Sequence, residues 1–234
     1  MKDNLEDYLR FSQVERGLSP NTIISYRTDL EEYLDYLQDQ NETSWEVDYL
    51  VVDAFLATQK DKGKATTSIS RMISSLRKFY QWLLRQDIIE RDPLIKIDSP
   101  KSERRLPTAL SEEEVDKLLA APDTNTPLGI RDRAMLELLY ATGMRVSELI
   151  NLRTGDIHSD LKIIRVLGKG SKERLVPITE VALSWLEKYQ KDVRDAQVLK
   201  SGQFTDVIFL NNHGHQLTRQ AVWQKIKKYC QLVG

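Results

Sequence analysis

An arginine between two apolar helical segments is the first residue in this sequence whose surroundings suit chemistry. Arg145 lies in the stretch Ala141-Thr-Gly-Met-Arg-Val-Ser-Glu-Leu149, and a second short amphipathic segment, Val146 to Ile150, follows it. The residues before it are apolar at helical spacing, and Gly143 sits where a helix commonly ends in a left-handed conformation. An arginine held between two buried faces has a fixed direction. Its planar guanidinium can therefore bind two oxygens of one phosphate.

The same arginine has a purely structural alternative. Glu148 and Asp156 lie nearby in the sequence, and either could form an ion pair with Arg145. Residue chemistry alone leaves the structural and the phosphate-binding interpretations evenly balanced. The segment that follows Arg145 in the sequence favours the phosphate-binding interpretation.

Two β-rich segments, 161–167 and 173–178, flank the turn Gly168-Lys-Gly-Ser-Lys172. The glycines permit a tight turn, so we expect a hairpin with Lys169 at its tip. Four cations and one acid lie between positions 165 and 174. A flexible ammonium beside a rigid guanidinium suits phosphoryl chemistry, because one can neutralise the phosphate while the other gives up a proton. A Gly-Lys-Gly turn by itself is equally typical of a solvated loop.

The two motifs together resemble the tyrosine recombinase (phage integrase) family. The stretch 141–149 and the stretch Val166-Leu-Gly-Lys-Gly-Ser-Lys-Glu-Arg-Leu-Val-Pro177 follow the family's order and spacing almost residue for residue. The likeness runs from Leu5 to the last residue and is closest to the bacterial XerC/XerD type, with XerD favoured. By this resemblance, Arg145 matches the first catalytic arginine and Lys169 matches the β-hairpin lysine.

The resemblance implies an activity and its partners. The family cuts and rejoins DNA by transesterification without metal or nucleotide cofactor, through a tyrosine that forms a 3′-phosphotyrosyl link. The XerD type implies chromosome dimer resolution on a double-stranded DNA recombination site, in a heterotetramer with a XerC-like recombinase, and a DNA translocase as a further partner. The family's His-x-x-Arg box, a further His or Trp, and the nucleophilic tyrosine are expected past Gly234. The 234 residues are therefore expected to bind DNA and not to cut it.

Composition indicates a globular protein of the cytoplasm. With 41% hydrophobic and 29% charged residues, 234 positions suffice for two cores. No apolar run approaches the roughly 18 residues of a transmembrane helix, and the first residues do not resemble a signal peptide. The single cysteine, Cys230, excludes an internal disulfide and fits a reducing compartment. The three histidines are too scattered to form a zinc site.

Net charge by itself does not indicate a nucleic-acid partner. The chain carries a formal charge of −1, whereas DNA-binding domains are often strongly basic. The charge is unevenly distributed: residues 1–50 hold 4 basic and 12 acidic side chains, and residues 51–98 hold 9 and 6. A basic surface outside the first helices is therefore compatible with the composition.

Apolar periodicity predicts four helices in the first 98 residues, at about 7–16, 21–40, 48–60 and 66–85. The fourth carries Arg71, Ser75, Lys78 and Gln81 on the face opposite its apolar stripe. The pattern alone favours a solvated face. The resemblance favours DNA, because the family's helical N-terminal domain grips one side of the core site. We therefore predict that Arg71 and Lys78 bind DNA.

A segment rich in proline, serine and charge separates the two predicted domains. It includes Lys101-Ser-Glu-Arg-Arg105 and shows no periodicity, which is typical of a linker. We place an N-terminal DNA-binding domain at 1–98, a mobile linker at 99–106, and a C-terminally incomplete catalytic domain at 107–234. Ser111-Glu-Glu-Glu114 is a capping box that opens the first helix of the second domain.

After the hairpin, the pattern predicts a helix from Thr179 to about Gln190, a short strand over 206–210, and a helix over 218–229. The start of the last helix offers backbone N–H groups, Arg219 and Gln220 to a phosphate. Together with two residues of the hairpin, these complete the predicted DNA contacts in this domain: Lys172, Arg174, Arg219 and Gln220.

The expected fold is mainly α. An all-helical, SAM-like DNA-clamping domain precedes a mostly helical catalytic domain with a small antiparallel β-sheet. Two other functions remain open from the sequence: a phage-type integrase, and a non-catalytic protein that binds a DNA site.

Overall fold

The structure, a computed structural model, describes residues 1–100, 109–168 and 172–234. It divides into two compact units, Met1–Leu106 and Pro107–Gly234. The mainly helical fold with one small antiparallel sheet is confirmed. Most of the predicted linker, from position 101 on, and the hairpin residue Lys169 lie outside the described residues. In the described part of the chain, no helix combines the length and the apolar character that crossing a membrane requires.

The first unit contains the four predicted helices: α1, Lys2–Val14; α2, Pro20–Asp39; α3, Tyr49–Asp61; and α4, Thr66–Arg85. Side-chain caps fix two of their starts, since Ser19 accepts from the backbone N–H of Thr22 and Asp48 from that of Leu50. The core is aromatic, with ring centroids 4.8 Å apart for Trp45 and Phe79. Its fully buried rings are Tyr8, Tyr33, Trp45, Phe55, Phe79 and Tyr80.

Two predictions for this unit are wrong. The first helix occupies Lys2–Val14 and not 7–16, because Leu5 is buried in the core and draws the preceding turn into the helix. The helix ends at Val14, three residues before Gly17, which takes a left-handed φ of +60°. Ser75, predicted on the solvated face of α4, is fully buried.

The second unit contains six α-helices and the sheet in its described residues. The helices are α5, Glu112–Ala120; α6, Pro127–Thr142; α7, Val146–Ile150; α8, Glu180–Tyr189; α9, Asp195–Ser201; and α10, Arg219–Val233. The capping box at Ser111 and Glu114 is present, and α6 ends at Gly143 with a φ of +59°, both as predicted. Helices α6 and α8 and the inner face of the sheet enclose one core, which includes Leu138, Leu149, Ile164, Val166, Leu186 and Phe209.

The predicted hairpin forms the larger part of a three-stranded antiparallel sheet. Strand β1 is Ile157–His158, β2 is Ile163–Leu167 and β3 is Glu173–Pro177, in the order β1-β2-β3. Ile164 and Val166 point into the core, and Arg165 alternates outward between them. The register places Val166 opposite Arg174, so the arginine is near the end of the hairpin stem.

The segment after the sheet differs from its prediction in two ways. Helix α8 does not end the helical segment, since a π-helical turn at Gln190–Arg194 carries it into α9. The strand predicted over 206–210 is absent, and only isolated bridges occur, from Arg153 to Val207 and from Leu210 to Gln216. The reason is that arginine side chains bind the carbonyls a strand would use. Arg194 donates to Val207 at 2.9 Å and Arg131 donates to Leu210 at 2.9 Å.

Candidate catalytic and DNA-binding site

Arg145 is the N-cap residue of helix α7, immediately before Val146. Gly143 ends α6, and two residues later the backbone N–H of Arg145 donates to Glu148 Oε2 at 2.7 Å. Its guanidinium Nη1 donates to Oε1 of the same carboxylate at 3.1 Å. The side chain of Arg145 nevertheless remains 71% exposed. The arginine is therefore anchored at two points and still presents most of its N–H donors to solvent.

Glu148 holds a second arginine as well as the first. Arg174, on β3, donates through Nη1 to Oε1 at 2.9 Å and through Nη2 to Oε2 at 2.8 Å. This fork, together with the two bonds from Arg145, keeps the pKa of Glu148 at about 2 although burial acts to raise it. The carboxylate is only 4% exposed and fully hydrogen-bonded, so it is ionised at neutral pH.

The structural alternative for Arg145 is therefore partly correct, and it does not exclude a ligand. Glu148 is its partner, whereas the other candidate, Asp156, pairs with Arg165. Two arginines share one carboxylate, which leaves one positive charge in excess. An excess charge on a fixed, exposed guanidinium is what binding a phosphate requires.

The hairpin places one further predicted residue close to this cluster in the chain. Gly168 donates its N–H to the carbonyl of Lys172 at 2.8 Å, which closes the base of the turn, and the Lys172 side chain is exposed. Lys169 is the next residue after Gly168 and lies outside the described residues. Its role as proton donor therefore stays a prediction.

Helix α10 exposes the other two predicted contacts in its first turn. Thr218 caps the helix by accepting from the N–H of Ala221 at 3.1 Å, and Arg219 and Gln220 follow with exposed side chains. In the described residues, no group of three or more His, Cys, Asp or Glu side chains is placed to hold a metal ion.

The residue that orients α10 is not among the predicted site residues. Asp132 in α6 is buried and accepts from Lys225 at 3.2 Å and from the Tyr229 hydroxyl at 2.8 Å. Burial and the bond to Asp132 raise the pKa of Tyr229. This hydroxyl is thereby engaged as a hydrogen-bond donor. The sequence signal that could have identified Asp132 is an acidic residue within the apolar, helix-forming segment of α6.

The first unit anchors Arg71 in a similar way. Its Nη1 donates to Asp29 Oδ2 at 2.5 Å, and the buried Ser75 hydroxyl donates to the same oxygen at 2.8 Å. Asp29 is 1% exposed and Arg71 is 48% exposed. Burial raises the pKa of Asp29, because the donors from Ser75 and Arg71 only partly compensate for desolvation.

Lys78 lies two turns further along α4. Its Nζ donates to the Tyr26 hydroxyl at 2.7 Å and lies 5.4 Å from the centroid of that ring. Tyr26 and Asp29 are one turn apart on α2, so α2 orients both predicted DNA contacts of α4. Helical periodicity identified the two cations but neither of their partners.

Comparison with known proteins gives matches over both units. The family described as "Phage integrase, N-terminal SAM-like domain" matches residues 5–87, and the "Phage integrase family" matches residues 108–234. A relative named tyrosine recombinase XerD, from Lacticaseibacillus casei, is 47% identical over 230 residues. The match covers 98% of this chain and 78% of the relative.

Two crystal structures of DNA complexes share this fold. A lambda integrase dimer bound to a COC′ core site superposes with a TM-score of 0.75 at 19% identity, over 100% of this chain and 81% of the other. The XerH site-specific recombinase bound to its difH substrate, in a pre-cleavage complex, gives 0.73 at 20% identity, over 100% and 69% of the two chains.

Proposed function

The chain belongs to the tyrosine recombinase (phage integrase) family of enzymes, which carry out site-specific DNA recombination. We propose that it is a XerD-type recombinase that acts in chromosome dimer resolution. The 47% identity to a XerD relative supports this type over a phage-type integrase. In this proposal the protein acts in the cytoplasm on a double-stranded recombination site, in a heterotetramer with a XerC-like partner. A DNA translocase is a further proposed partner.

In the proposed reaction, a tyrosine hydroxyl attacks a DNA phosphate and the 5′-oxygen leaves. The new 3′-phosphotyrosyl bond keeps the energy of the broken one, so strand exchange needs no external energy source. Arg145 binds the non-bridging oxygens and stabilises the charge of the transition state. Lys169 protonates the leaving 5′-oxygen.

The proposal depends mainly on how Arg145 is held and how much of its side chain is exposed. Its guanidinium is exposed, yet Glu148 anchors it from the same helical turn, and the cluster with Arg174 has one positive charge in excess. A preorganised donor of this kind needs no reorganisation when charge develops on a phosphate. Arg153 is also exposed and anchored twice, through Asp156 and Asp206, but its cluster has no positive charge in excess because two carboxylates balance Arg153 and Arg165.

We propose that the DNA contacts lie on both units. Arg71 and Lys78 contact phosphates from α4, and Lys172, Arg219 and Gln220 contact them from the second unit. Arg71, Lys172, Arg219 and Gln220 are exposed and Lys78 is half-buried. This exposure and the orientation of the α4 pair by α2 support these roles. Contacts of this type contribute affinity that falls steeply with salt.

The polypeptide of 234 residues is proposed to bind DNA without cleaving it. It contains no His-x-x-Arg sequence, and the hydroxyl of Tyr229 in α10 is bonded to Asp132. A cleavage test therefore joins these residues to a C-terminal segment with the family's His-x-x-Arg box and nucleophilic tyrosine, here called the extended chain.

The test compares Arg145→Ala with the parent in the extended chain on a suicide DNA substrate. We expect the cleavage rate to fall by about a hundredfold to a thousandfold, which is typical for loss of one preorganised donor, while DNA affinity is retained. Arg153→Ala is the matched control, because Arg153 is also an exposed, ion-paired arginine but binds Asp206. If the extended parent binds its site and never cleaves, the chain is a DNA-site-binding protein without catalysis.

A further inference from the structure

Glu148 joins two elements that are separate in the chain. Its bonds to Arg145 stay within one turn at the start of α7, whereas its bonds to Arg174 reach across to β3, 26 residues away. Removing Arg174 would therefore leave both contacts of Arg145 with Glu148 in place. It would remove the ionic link between the hairpin stem and α7.

The base of the hairpin turn lies close to this link. A methyl group added at Gly168 would lie 3.4 Å from Arg174 Nη1 and 3.6 Å from Glu148 Oε1, and 3.3 Å from the carbonyl of Lys172. The fork thus lies within van der Waals distance of the place that a β-carbon of residue 168 would occupy, beside the hairpin base. Gly168 is also the residue that precedes Lys169 in the chain.

We propose that Arg174 is a positioning residue for proton transfer and not a DNA contact. Its fork on Glu148 holds the hairpin base against α7, and so fixes the direction in which the chain leaves β2 toward Lys169. This inference rests on the proposed function, in which Lys169 protonates the leaving oxygen. We propose this role in place of the phosphate contact that the sequence suggested for Arg174, because its two parallel bonds to Glu148 direct the guanidinium toward α7.

The first experiment measures hydrogen exchange of two backbone amides in the 234-residue chain. In Arg174→Ala, we expect the Gly168 amide to exchange at least about tenfold faster, since its bond to Lys172 loses the support of the fork. The Arg145 amide, bonded to Glu148 Oε2, should change less than about twofold. Equal protection of Gly168 in the variant and the parent would overturn the proposal.

Arg165→Ala is the matched control for this measurement. Arg165 lies on the neighbouring strand β2, has a similar exposure, and also forms a fork, through Nε at 3.1 Å and Nη2 at 2.9 Å. Its partner is Asp156, which is not bonded to Arg145. We expect Arg165→Ala to leave both amides as they are in the parent. Faster exchange at Gly168 in this control would attribute the effect to general loss of an ion pair, and would overturn the specific role of Arg174.

The second experiment measures cleavage by the extended chain with two DNA substrates. On normal DNA, Arg174→Ala should cleave about tenfold to a hundredfold more slowly than the parent, as expected for a misplaced catalytic group. A substrate with a 5′-bridging sulfur releases a thiolate that needs no proton. On it, Arg174→Lys, which keeps the excess positive charge of the cluster but cannot form the fork, should approach the parent rate, whereas Arg145→Ala should stay slow. Failure of the sulfur to restore Arg174→Lys would overturn the positioning role.

DNA affinity across a salt series separates this role from a phosphate contact. We expect Arg174→Lys to bind DNA with the parent's affinity and salt slope and yet to cleave normal DNA slowly, because lysine keeps the charge but cannot form the fork. Cleavage of normal DNA at the parent rate by Arg174→Lys, together with a weaker Arg174→Ala whose salt slope is lower by about one unit, would make Arg174 a DNA contact. Arg174→Lys also provides a folded variant if the alanine variant is unstable.

The cleavage results also distinguish failure of the proposed function from failure of the role proposed for Arg174. If the extended parent cleaves neither substrate, the recombinase proposal and the proton-transfer role fall together. If the parent cleaves both and Arg174→Ala cleaves normal DNA at the same rate, only the inference about Arg174 is wrong.

Discussion

In each unit a buried carboxylate pairs with an exposed arginine, Asp29 with Arg71 and Glu148 with Arg145, and the pKa values of these two acids shift in opposite directions. Burial raises the pKa of Asp29, whereas the pKa of Glu148 is lowered to about 2. Asp29 accepts from one arginine and one hydroxyl, and Glu148 accepts from two arginines and a backbone N–H. Asp29 has the larger cost of desolvation and one charged donor fewer, and both differences favour its neutral form relative to that of Glu148.

The difference also changes what each arginine can offer to DNA. Arg71 and Asp29 form a neutral pair, so Arg71 can contribute direction and a few donors. The cluster of Glu148, Arg145 and Arg174 has one excess positive charge. We therefore expect the second unit to stabilise a charged transition state and the first unit to contribute binding.

The largest expected contrast is in catalysis. In the extended chain with saturating DNA, Arg145→Ala should lower the cleavage rate by about a hundredfold to a thousandfold. Arg71→Ala should change it by less than about tenfold, because a binding contact affects affinity more than the chemical step. Single-turnover rates measure both. Similar losses in the two variants would break the proposed division between the units.

The second contrast is in the free energy of unfolding. Glu148→Gln should destabilise its unit by about 1–3 kcal/mol, since it removes an ionised acceptor from two arginines that remain partly hydrated. Asp29→Asn should cost less than about 1 kcal/mol, because the amide oxygen still accepts from Ser75 and the penalty of burying a charge is relieved. Urea unfolding of both variants tests this order, and a larger loss for Asp29→Asn would reverse it.

The pH dependence of stability should have opposite signs at the two acids. The folded pKa of Glu148 is about 2, below its ordinary value, so its contribution is present at neutral pH and is lost as pH falls from about 4.5 toward 2. The folded pKa of Asp29 is raised, so its unfavourable contribution is present above that pKa and is relieved as pH falls through it.

This prediction is checked by the difference in unfolding free energy between parent and variant at several pH values. The advantage of the parent over Glu148→Gln should shrink by up to about 2–3 kcal/mol on acidification. The difference between the parent and Asp29→Asn should move in the parent's favour. A parallel trend for both acids would contradict the comparison.

A smaller effect concerns the salt dependence of DNA binding. Arg71→Ala and Lys78→Ala should each lower the salt slope of the binding constant by about one unit, one phosphate contact apiece. Arg77→Ala is a suitable control, because Arg77 lies on the same helix and donates to the carbonyl of Ile97 and to Ser99. Slopes equal to that of the parent would assign the α4 face to solvent.

Limited proteolysis tests the predicted domain boundaries directly. The composition of 99–106 predicts that trypsin cleaves first between Lys101 and Arg105. Prior cleavage within α4 would contradict a two-domain organisation with boundaries at 98 and 107.

Local sequence was sufficient for the features that depend on neighbours in the chain. The end of α6 at Gly143, the capping box at Ser111, the bounds of α4 and the two long strands of the hairpin were all predictable. Each follows from backbone preferences or apolar periodicity over a few residues. The motifs around Arg145 were sufficient for the family for the same reason, since their residues are nearly contiguous.

Only the tertiary structure decided which groups hold the functional side chains. Three hydrogen bonds join residues that are far apart in the sequence. Arg71 binds Asp29 at a separation of 42 residues, Arg174 binds Glu148 at 26, and Tyr229 binds Asp132 at 97. Periodicity gives the face of a helix on which a cation lies, but it carries no information about an acid on another element. Ser75 is an example. It is a polar residue that the sequence placed on the solvated face of α4, but in the fold it is buried and its hydroxyl donates to Asp29. Long-range polar pairing depends on how helices and strands pack together, and packing is a property of the whole unit.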